Sequence, residues 1–411
     1  MSEHHNDWKV VLVIMLMSSI LMSASYTMLV PFLPMYLMQE LGVSADDVKL
    51  WSGLVFSVSF AISGIMAPIW GAMADKKSRK LMAVRAAVCL GITYVLGGAV
   101  QNEWQLLIVR ILQGFSAGLW PACLAIMTQY APREKMGFCL GSMQGAMTAG
   151  GVLGPLLGGV LAEYTGMRMT FYIGGVALLI IAALLIFYIK EAPRKPVEHT
   201  EGQKKEKVNL LKIPVIQRML LTAAMLQLMM LIQQPIMPLY VAELQGSMDQ
   251  IVLVTGLLFS VVGISGVIAS PLWGIAGQKW GFRPVLYFGL ISTAIITILQ
   301  ALPNDIYAFG TLRFIGGLAF AGLFPAINAV LTQSSNPEDR GRVFGLSYAA
   351  QQVGSVIGPI LGGALAIYLP LKVVIALSGV IIIPLAIYLI MKRPKQEADS
   401  HGNPMSVQNG S

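Results

Sequence analysis

Apolar residues run through this chain in long blocks, parted by short polar and charged stretches. A membrane-spanning helix needs about 20 predominantly apolar residues. Twelve blocks meet that length, at about 10–37, 49–74, 80–100, 104–130, 136–162, 167–190, 213–243, 248–276, 283–302, 305–334, 340–368 and 371–391. They are numbered spans 1 to 12, and the pattern predicts an all-α membrane protein. Several exceed the minimum length, which allows tilt without fixing an angle. The blocks divide the chain into a six-span half at 1–190, a linker at 191–212, a second six-span half at 213–392 and a polar tail at 393–411. The linker holds Pro193, Pro196 and ten charged residues, a composition that stays solvated.

The two halves repeat each other. Gly141, Gly150, Gly154, Pro155, Gly158 and Gly159 in span 5 recur, 204 residues on, as Gly345, Gly354, Gly358, Pro359, Gly362 and Gly363 in span 11. The repeat extends to other spans. Pro31, Pro34 and Tyr36 match Pro235, Pro238 and Tyr240. Pro68 and Trp70 match Pro271 and Trp273, Arg110 and Gly114 match Arg313 and Gly317, and Trp120-Pro121-Ala122 matches Phe324-Pro325-Ala326. Six is an even number, so both halves enter from the same side and are parallel repeats about an axis along the membrane normal.

Composition fits this picture. The chain is 56% hydrophobic and 12% charged, against about 25% charged for a soluble domain. The net charge of +8 first suggests a nucleic-acid partner, but its distribution excludes one. Lys49, Arg168 and Lys372 fall on one side of the twelve-span layout, Arg110 and Arg313 lie inside spans, and the other twenty-three basic residues gather at the opposite side. Cytoplasmic loops collect Lys and Arg, so both termini are expected in the cytoplasm of a plasma-membrane protein. Cys89, Cys123 and Cys139 stand singly, which predicts neither a disulfide framework nor a metal site. Span 1 is too long for a signal peptide and is read as a retained helix.

Glycines four apart give a helix a flat face on which another backbone packs closely. Gly150, Gly154 and Gly158 form such a stripe, which is expected where the two halves meet and slide; Pro155 and Pro359 each remove a backbone donor. With these residues the chain resembles the major facilitator superfamily, and within it the twelve-helix drug:proton antiporters, whose signature is the Gly141–Gly159 run. Two more segments carry the resemblance. Gly71-Ala-Met-Ala-Asp75-Lys-Lys-Ser78-Arg79-Lys80 resembles the family's loop between spans 2 and 3, with Met73 and Ser78 departing from its pattern. Arg110-Ile-Leu-Gln113-Gly114 resembles its span 4 motif. The span 1 and span 2 sequences look most like those of bacterial multidrug exporters.

The resemblance implies two pseudo-symmetric six-helix bundles that rock about a central pocket. It also implies a conformational latch at Gly71, Asp75, Arg79 and Lys80. The second half carries Gln278 and Phe282 where the first has Asp75 and Arg79, so the expected latch is one-sided. It gives Arg110 a part in proton coupling. The alternative for Arg110, and the one favoured for Arg313, is a structural arginine tied to carbonyls or to Gln113. Arg110 lies six residues into span 4, and a charge at mid-span costs about 2.5–3.5 kcal/mol on insertion scales. It must therefore face protein or a water-filled cavity.

No Asp or Glu occupies the middle of any span, and Glu40, Glu103, Glu163, Glu243, Asp249 and Asp305 all lie near the side opposite the basic loops. Either a rim acid such as Glu40 or Glu243 carries the proton, or coupling works through Arg110. Permanent dications lose weight as cargo; neutral, zwitterionic and weakly anionic compounds gain it. Binding sites of repeat transporters lie near the midplane between broken helices. The prolines place breaks in spans 1, 4, 7 and 10, and the polar and aromatic residues near them are Tyr26, Trp120, Gln227, Gln233, Gln234, Phe324 and Asn328. Gln144, Tyr348, Gln351 and Gln352 are expected to face inward from spans 5 and 11. Met225, Met229, Met230 and Met237 neighbour the glutamines, though each is as readily a core or lipid-facing residue.

The string Gly114-Phe-Ser116-Ala-Gly118 spells a hydrolase nucleophile elbow, but it lies in a span, with every histidine in the termini or the linker. No phosphate-binding loop is present. The expectation is a proton-coupled exporter of small amphipathic compounds, monomeric, without cofactor or metal, whose partners are its cargo, protons and membrane lipid. The alternative is a transporter of one metabolite, such as a sugar, amino acid or siderophore. A membrane-embedded enzyme or a receptor lacks any supporting constellation.

Overall fold

The computed structural model describes residues 4–76, 78–189, 210–336 and 339–392. Most of the linker and the tail therefore lie outside the described residues. Those described form an almost wholly helical protein, with twelve segments long and apolar enough to cross a membrane: Trp8–Thr27, Val48–Trp70, Arg79–Ala99, Glu103–Tyr130, Met136–Thr165, Met167–Tyr188, Pro214–Ile232, Ile251–Trp280, Phe282–Leu299, Ile306–Gln333, Arg340–Tyr368 and Leu371–Met391. Exposed Trp104, Tyr164, Tyr307 and Tyr368 ring one end of the bundle, and Phe187, Tyr188 and Trp280 the other, as side chains with apolar bodies do at membrane–water boundaries.

Four spans are broken where the prolines place breaks. Span 1 stops at Thr27 and resumes as Leu33–Gln39; span 7 stops at Ile232 and resumes as Met237–Gln245. Pro31 and Pro235 stand in these gaps and can donate no hydrogen bond to the preceding turn. Span 4 stops at Phe115 and resumes at Leu119; span 10 stops at Phe320 and resumes at Leu323. Here Pro121 and Pro325 sit at the third position of the second segment, and their rings crowd the carbonyls four residues back, inside the gap. The span 4 gap turns on Gly118, at φ +112°. Span 12 is also interrupted, at Ile381, three residues before Pro384. Spans 5 and 11 run unbroken through Pro155 and Pro359.

One buried cluster fills the first six spans and reaches across to Ile251 and Val252 of span 8; two more fill the last six. Inside each half, span 1 lies along span 5 and span 7 along span 11. Between the halves, span 5 meets span 8 and span 2 meets span 11.

The glycine stripe is not where the halves slide. Cβ atoms built on Gly150, Gly154 and Gly158 would strike Ile20, Ala24, Thr27 and Met28 of span 1, and those on Gly354, Gly358 and Gly362 would strike Ala224, Leu228, Leu231 and Ile232 of span 7. The stripe is the seam inside each half. The contact between halves uses the next face round the same helices: Pro155 O packs on Gly256, Gly159 on Leu253, Pro359 O on Gly53 and Gly363 on Lys49. Packing along one face and between halves along another are separate demands, and the repeated motif meets both.

Candidate functional site

The close packing of span 5 on span 8 and of span 2 on span 11 lies toward one end of the molecule. In span 5 the face that meets span 8 runs from Gly159 through Pro155 and Val152, whose carbonyl accepts the Ser260 hydroxyl at 2.7 Å. At 100° per residue it continues through Thr148, Gly145 and Gly141. Cβ atoms on Gly145 and Gly141 would meet nothing within 4 Å. The facing side of span 8 ends at Gly274, also in open space, as do Gly64 of span 2 and Gly345 and Gly341 of span 11. The halves thus touch at the end bearing Lys49 and diverge toward the end bearing the linker and basic loops, leaving a cleft between spans 2, 5, 8 and 11.

Several expected residues line it. Gln144 and Thr148 of span 5, and Tyr348 and Gln352 of span 11, lie on or beside the diverging faces. Tyr26 of span 1 is half exposed at the closed end, with its ring edge-on to Phe60 of span 2 at 6.3 Å. Tyr26 is also within electrostatic range of Tyr94, Arg110 and, from the opposite half, Tyr348. Asn328 is exposed on the second segment of span 10.

Others are placed differently. Gln233 is buried; its carbonyl oxygen accepts from Arg313 Nη1 at 3.1 Å and its amide donates to Ser378 Oγ at 2.8 Å, tying spans 7, 10 and 12 together. Gln234 is buried beside it, with no partner for Oε1. Gln351 lies on the azimuth of the stripe, toward span 7, and donates to Ser347 O at 3.3 Å. Gln227 lies under Gly354 at the same seam. Trp120 packs partly into the first-half core, and Phe324 into a second-half core against Phe320 at 5.8 Å. Met229 and Met237 are core residues. A polar side chain in a membrane helix needs a partner, and a neighbouring helix supplies one as well as a cavity does.

Arg110 is buried, 5% exposed. Nη1 donates to Gln113 Oε1 at 2.9 Å, the guanidinium lies over Phe56 at 5.7 Å, and Nε and Nη2 have no partner. Its counterpart Arg313 lies in the same way over Phe259 at 5.5 Å, but reaches Gln233 on another helix. No carboxylate bonds to either arginine among the described residues. Glu40 is engaged: Arg168 Nε donates to Glu40 Oε2 at 2.8 Å, while Nη1 donates to Gly98 O at 3.0 Å and Val100 O at 2.8 Å. Glu243 is exposed at the same end.

At the expected latch, Arg79 Nη1 donates to Ala125 O at 3.0 Å and Lys80 Nζ to Ile186 O at 2.7 Å, joining span 3 to spans 4 and 6. Gly71 and the Asp75 side chain lie outside what the structure describes. Sequence reading missed one partner and the exact place of one break. Arg168, counted only as an outer-side charge, is the partner of Glu40. The break expected in span 4 falls at Ser116–Gly118, inside the string that resembles a nucleophile elbow. The glycine three residues before the proline in both copies, Gly118 and Gly322, was the available signal.

The major facilitator superfamily model matches residues 15–255 and 219–408. The chain belongs to this superfamily. It is 34% identical to "Multidrug resistance protein MdtG" of Yersinia enterocolitica, over 93% of this chain and 92% of that one. It is 33% identical to the protein of that name from Escherichia coli strain SMS-3-5, over 94% and 96%. Among solved structures it resembles a bacterial homologue of the human lysosomal transporter Spinster in an inward-facing, occupied conformation, with TM-score 0.78, 17% identity and 93% and 96% of the two chains covered. A single-residue mutant of the nucleoside transporter NupG also gives TM-score 0.78, at 14% identity over 93% and 99%. The architecture is that of a multi-pass membrane transporter with two six-helix bundles.

Proposed function

We propose that this protein is a proton-coupled exporter of small amphipathic compounds that works by alternating access. The observation that carries the reading is the cleft. It opens at the basic end, closes at the other through backbone-close glycine contacts, and is lined by uncharged amides and tyrosines. Near-full-length similarity to proteins named for multidrug resistance supports efflux of more than one compound over the single-metabolite alternative.

In this reading the bundles are 1–190 and 213–392, the basic end is cytoplasmic, and both termini lie there in the plasma membrane. Cargo enters the cleft from the cytoplasm and contacts Tyr26, Gln144, Tyr348 and Gln352. Parting the Pro155–Gly256 and Pro359–Gly53 contacts opens the other end. Closing at the basic end brings together the faces that hold Gly141, Gly145, Gly274 and Gly345, where the absence of side chains leaves room.

The inward proton flow uses Glu40, Glu243 or Arg110. Glu40 is favoured over Glu243, because its protonation would release Arg168 from a bond that joins spans 1 and 6. Arg110 acts next to Tyr26 at the closed end, where its unpartnered Nε and Nη2 can answer a change in the cleft. Fluorescent-dye efflux from cells expressing the protein, with and without a protonophore, tests the proposal. Protonophore-sensitive efflux of several unrelated dyes supports it; no efflux from well-expressed protein refutes multidrug export.

A further inference from the structure

One pair of broken helices that repeat each other, spans 4 and 10, is held by different chemistry in its two copies. In each, a tryptophan from the basic end of the neighbouring helix bonds a carbonyl of the last turn before the gap. Trp70 Nε1 donates to Phe115 O at 2.8 Å, and Trp273 Nε1 to Leu318 O at 2.7 Å. What covers the tryptophan differs. Over Trp273 lies Phe288, ring to ring at 6.1 Å. Over Trp70, at the matching position of span 3, lies Arg85, its guanidinium 3.6 Å from the ring centroid. Arg85 Nη2 also donates to Ala117 O at 3.0 Å, the carbonyl four residues before Pro121 that the proline ring denies its helical partner. The gaps differ accordingly. Gly322 has φ −82°, close to helical, whereas Gly118 is left-handed at φ +112°.

We propose that Arg85 is a positioning residue for the transport cycle: with Trp70 it braces the bend of span 4, and that brace favours the conformation open at the basic end. Three physical effects converge on one side chain. A guanidinium stacked on an indole gains a cation–π contact, its N–H restores a hydrogen bond that Pro121 removes, and its charge faces the carbonyl end of the Glu103–Phe115 helix, where a cation is favoured. The bend carries Leu119–Tyr130 as a unit, and this segment packs against spans 1, 3 and 5 of its own half. The second half has the tryptophan without the cation, so a bend of its own kind forms without one. Arg85 is therefore an addition to a shared device rather than a requirement of the fold.

This rests on the exporter reading, so the test measures accessibility instead of export. In the full-length protein with Cys89, Cys123 and Cys139 replaced by serine, Gly145→Cys places a thiol on the open face of span 5. Its labelling by a membrane-impermeant maleimide is followed in inside-out vesicles. Adding Arg85→Phe, which copies the second half, is expected to slow labelling about tenfold, since only the part of the cation–π contact and the charged hydrogen bond that differs between the two conformations shifts their balance. Trp70→Phe, which removes only the indole donor, should slow it less, and Phe288→Leu should leave it unchanged. Where Arg85→Phe fails to reach the membrane, Arg85→Lys is read instead; it keeps the charge but not the planar stack, and slower labelling is again expected. Unchanged labelling in the variant that folds overturns the proposal, even where export falls, as does an equal effect from Phe288→Leu. Loss of dye efflux in the unsubstituted protein would remove the exporter reading without altering these labelling rates.

Discussion

Four of the span 5 motif glycines, Gly150, Gly154, Gly158 and Gly159, face the backbone of a neighbouring helix, and Gly141 faces open space. At Gly154 an added Cβ would lie 2.7 Å from Ala24 O and 3.0 Å from Ala24 Cα, and closer still to Thr27 Oγ1. Backbone cannot move aside as a side-chain tip can. Gly154→Leu should force spans 1 and 5 apart, at the about 1–3 kcal/mol typical of overpacking, and abolish export while protein still reaches the membrane; normal export would contradict the close packing. Arg110→Ala should uncouple export from the proton gradient, read as a lost pH dependence of efflux. An unchanged dependence would make Arg110 structural, as Arg313 is through Gln233. Arg110 was legible because a charge deep in a span always needs an explanation. The Glu40–Arg168 pair was not, because its members lie 128 residues apart and each alone reads as a rim charge. Gln233 and Gln351 misled for a related reason: composition tells that an amide in a span has a partner, not whether that partner is cargo or protein.

Among elements, the breaks were the most readable feature, since proline acts on its own helix at a fixed distance. Pro31, Pro121, Pro235 and Pro325 each mark a gap that the structure contains. The gap geometry was not readable, because Gly118 and Gly322 have the same sequence neighbours in kind but different φ. Gly118→Ala should cost about 1–2 kcal/mol through left-handed strain, seen as a lower unfolding temperature in detergent. An unaltered temperature would show that the bend can relax to a helical φ. The one-sided latch is tested at the same scale. Asp75→Asn should slow cycling more than Gln278→Ala, because the second half carries Gln278 and Phe282 where the first has Asp75 and Arg79. Equal effects on efflux rate would refute the asymmetry. The glycine stripe was recognised as a packing face but assigned to the wrong seam. Spacing reveals that a face is flat and is silent about which of two neighbours lies on it.

For the whole molecule, the repeat predicted two six-helix halves, which the structure contains. Which end is open was legible only in three dimensions, because one sequence must serve both conformations. The register Pro155 on Gly256 and Val152 on Ser260, carried two turns further, pairs Gly145 with Val267. Val267 is exposed and nothing lies within 4 Å of a Cβ on Gly145, so the two faces are apart. The most direct test of alternating access is disulfide formation between Gly145→Cys and Val267→Cys in the otherwise cysteine-free protein. The account predicts little cross-linking at rest, more during turnover with cargo and a proton gradient, and export that stops on cross-linking and returns with reductant. A pair that cross-links fully without stopping export would contradict it.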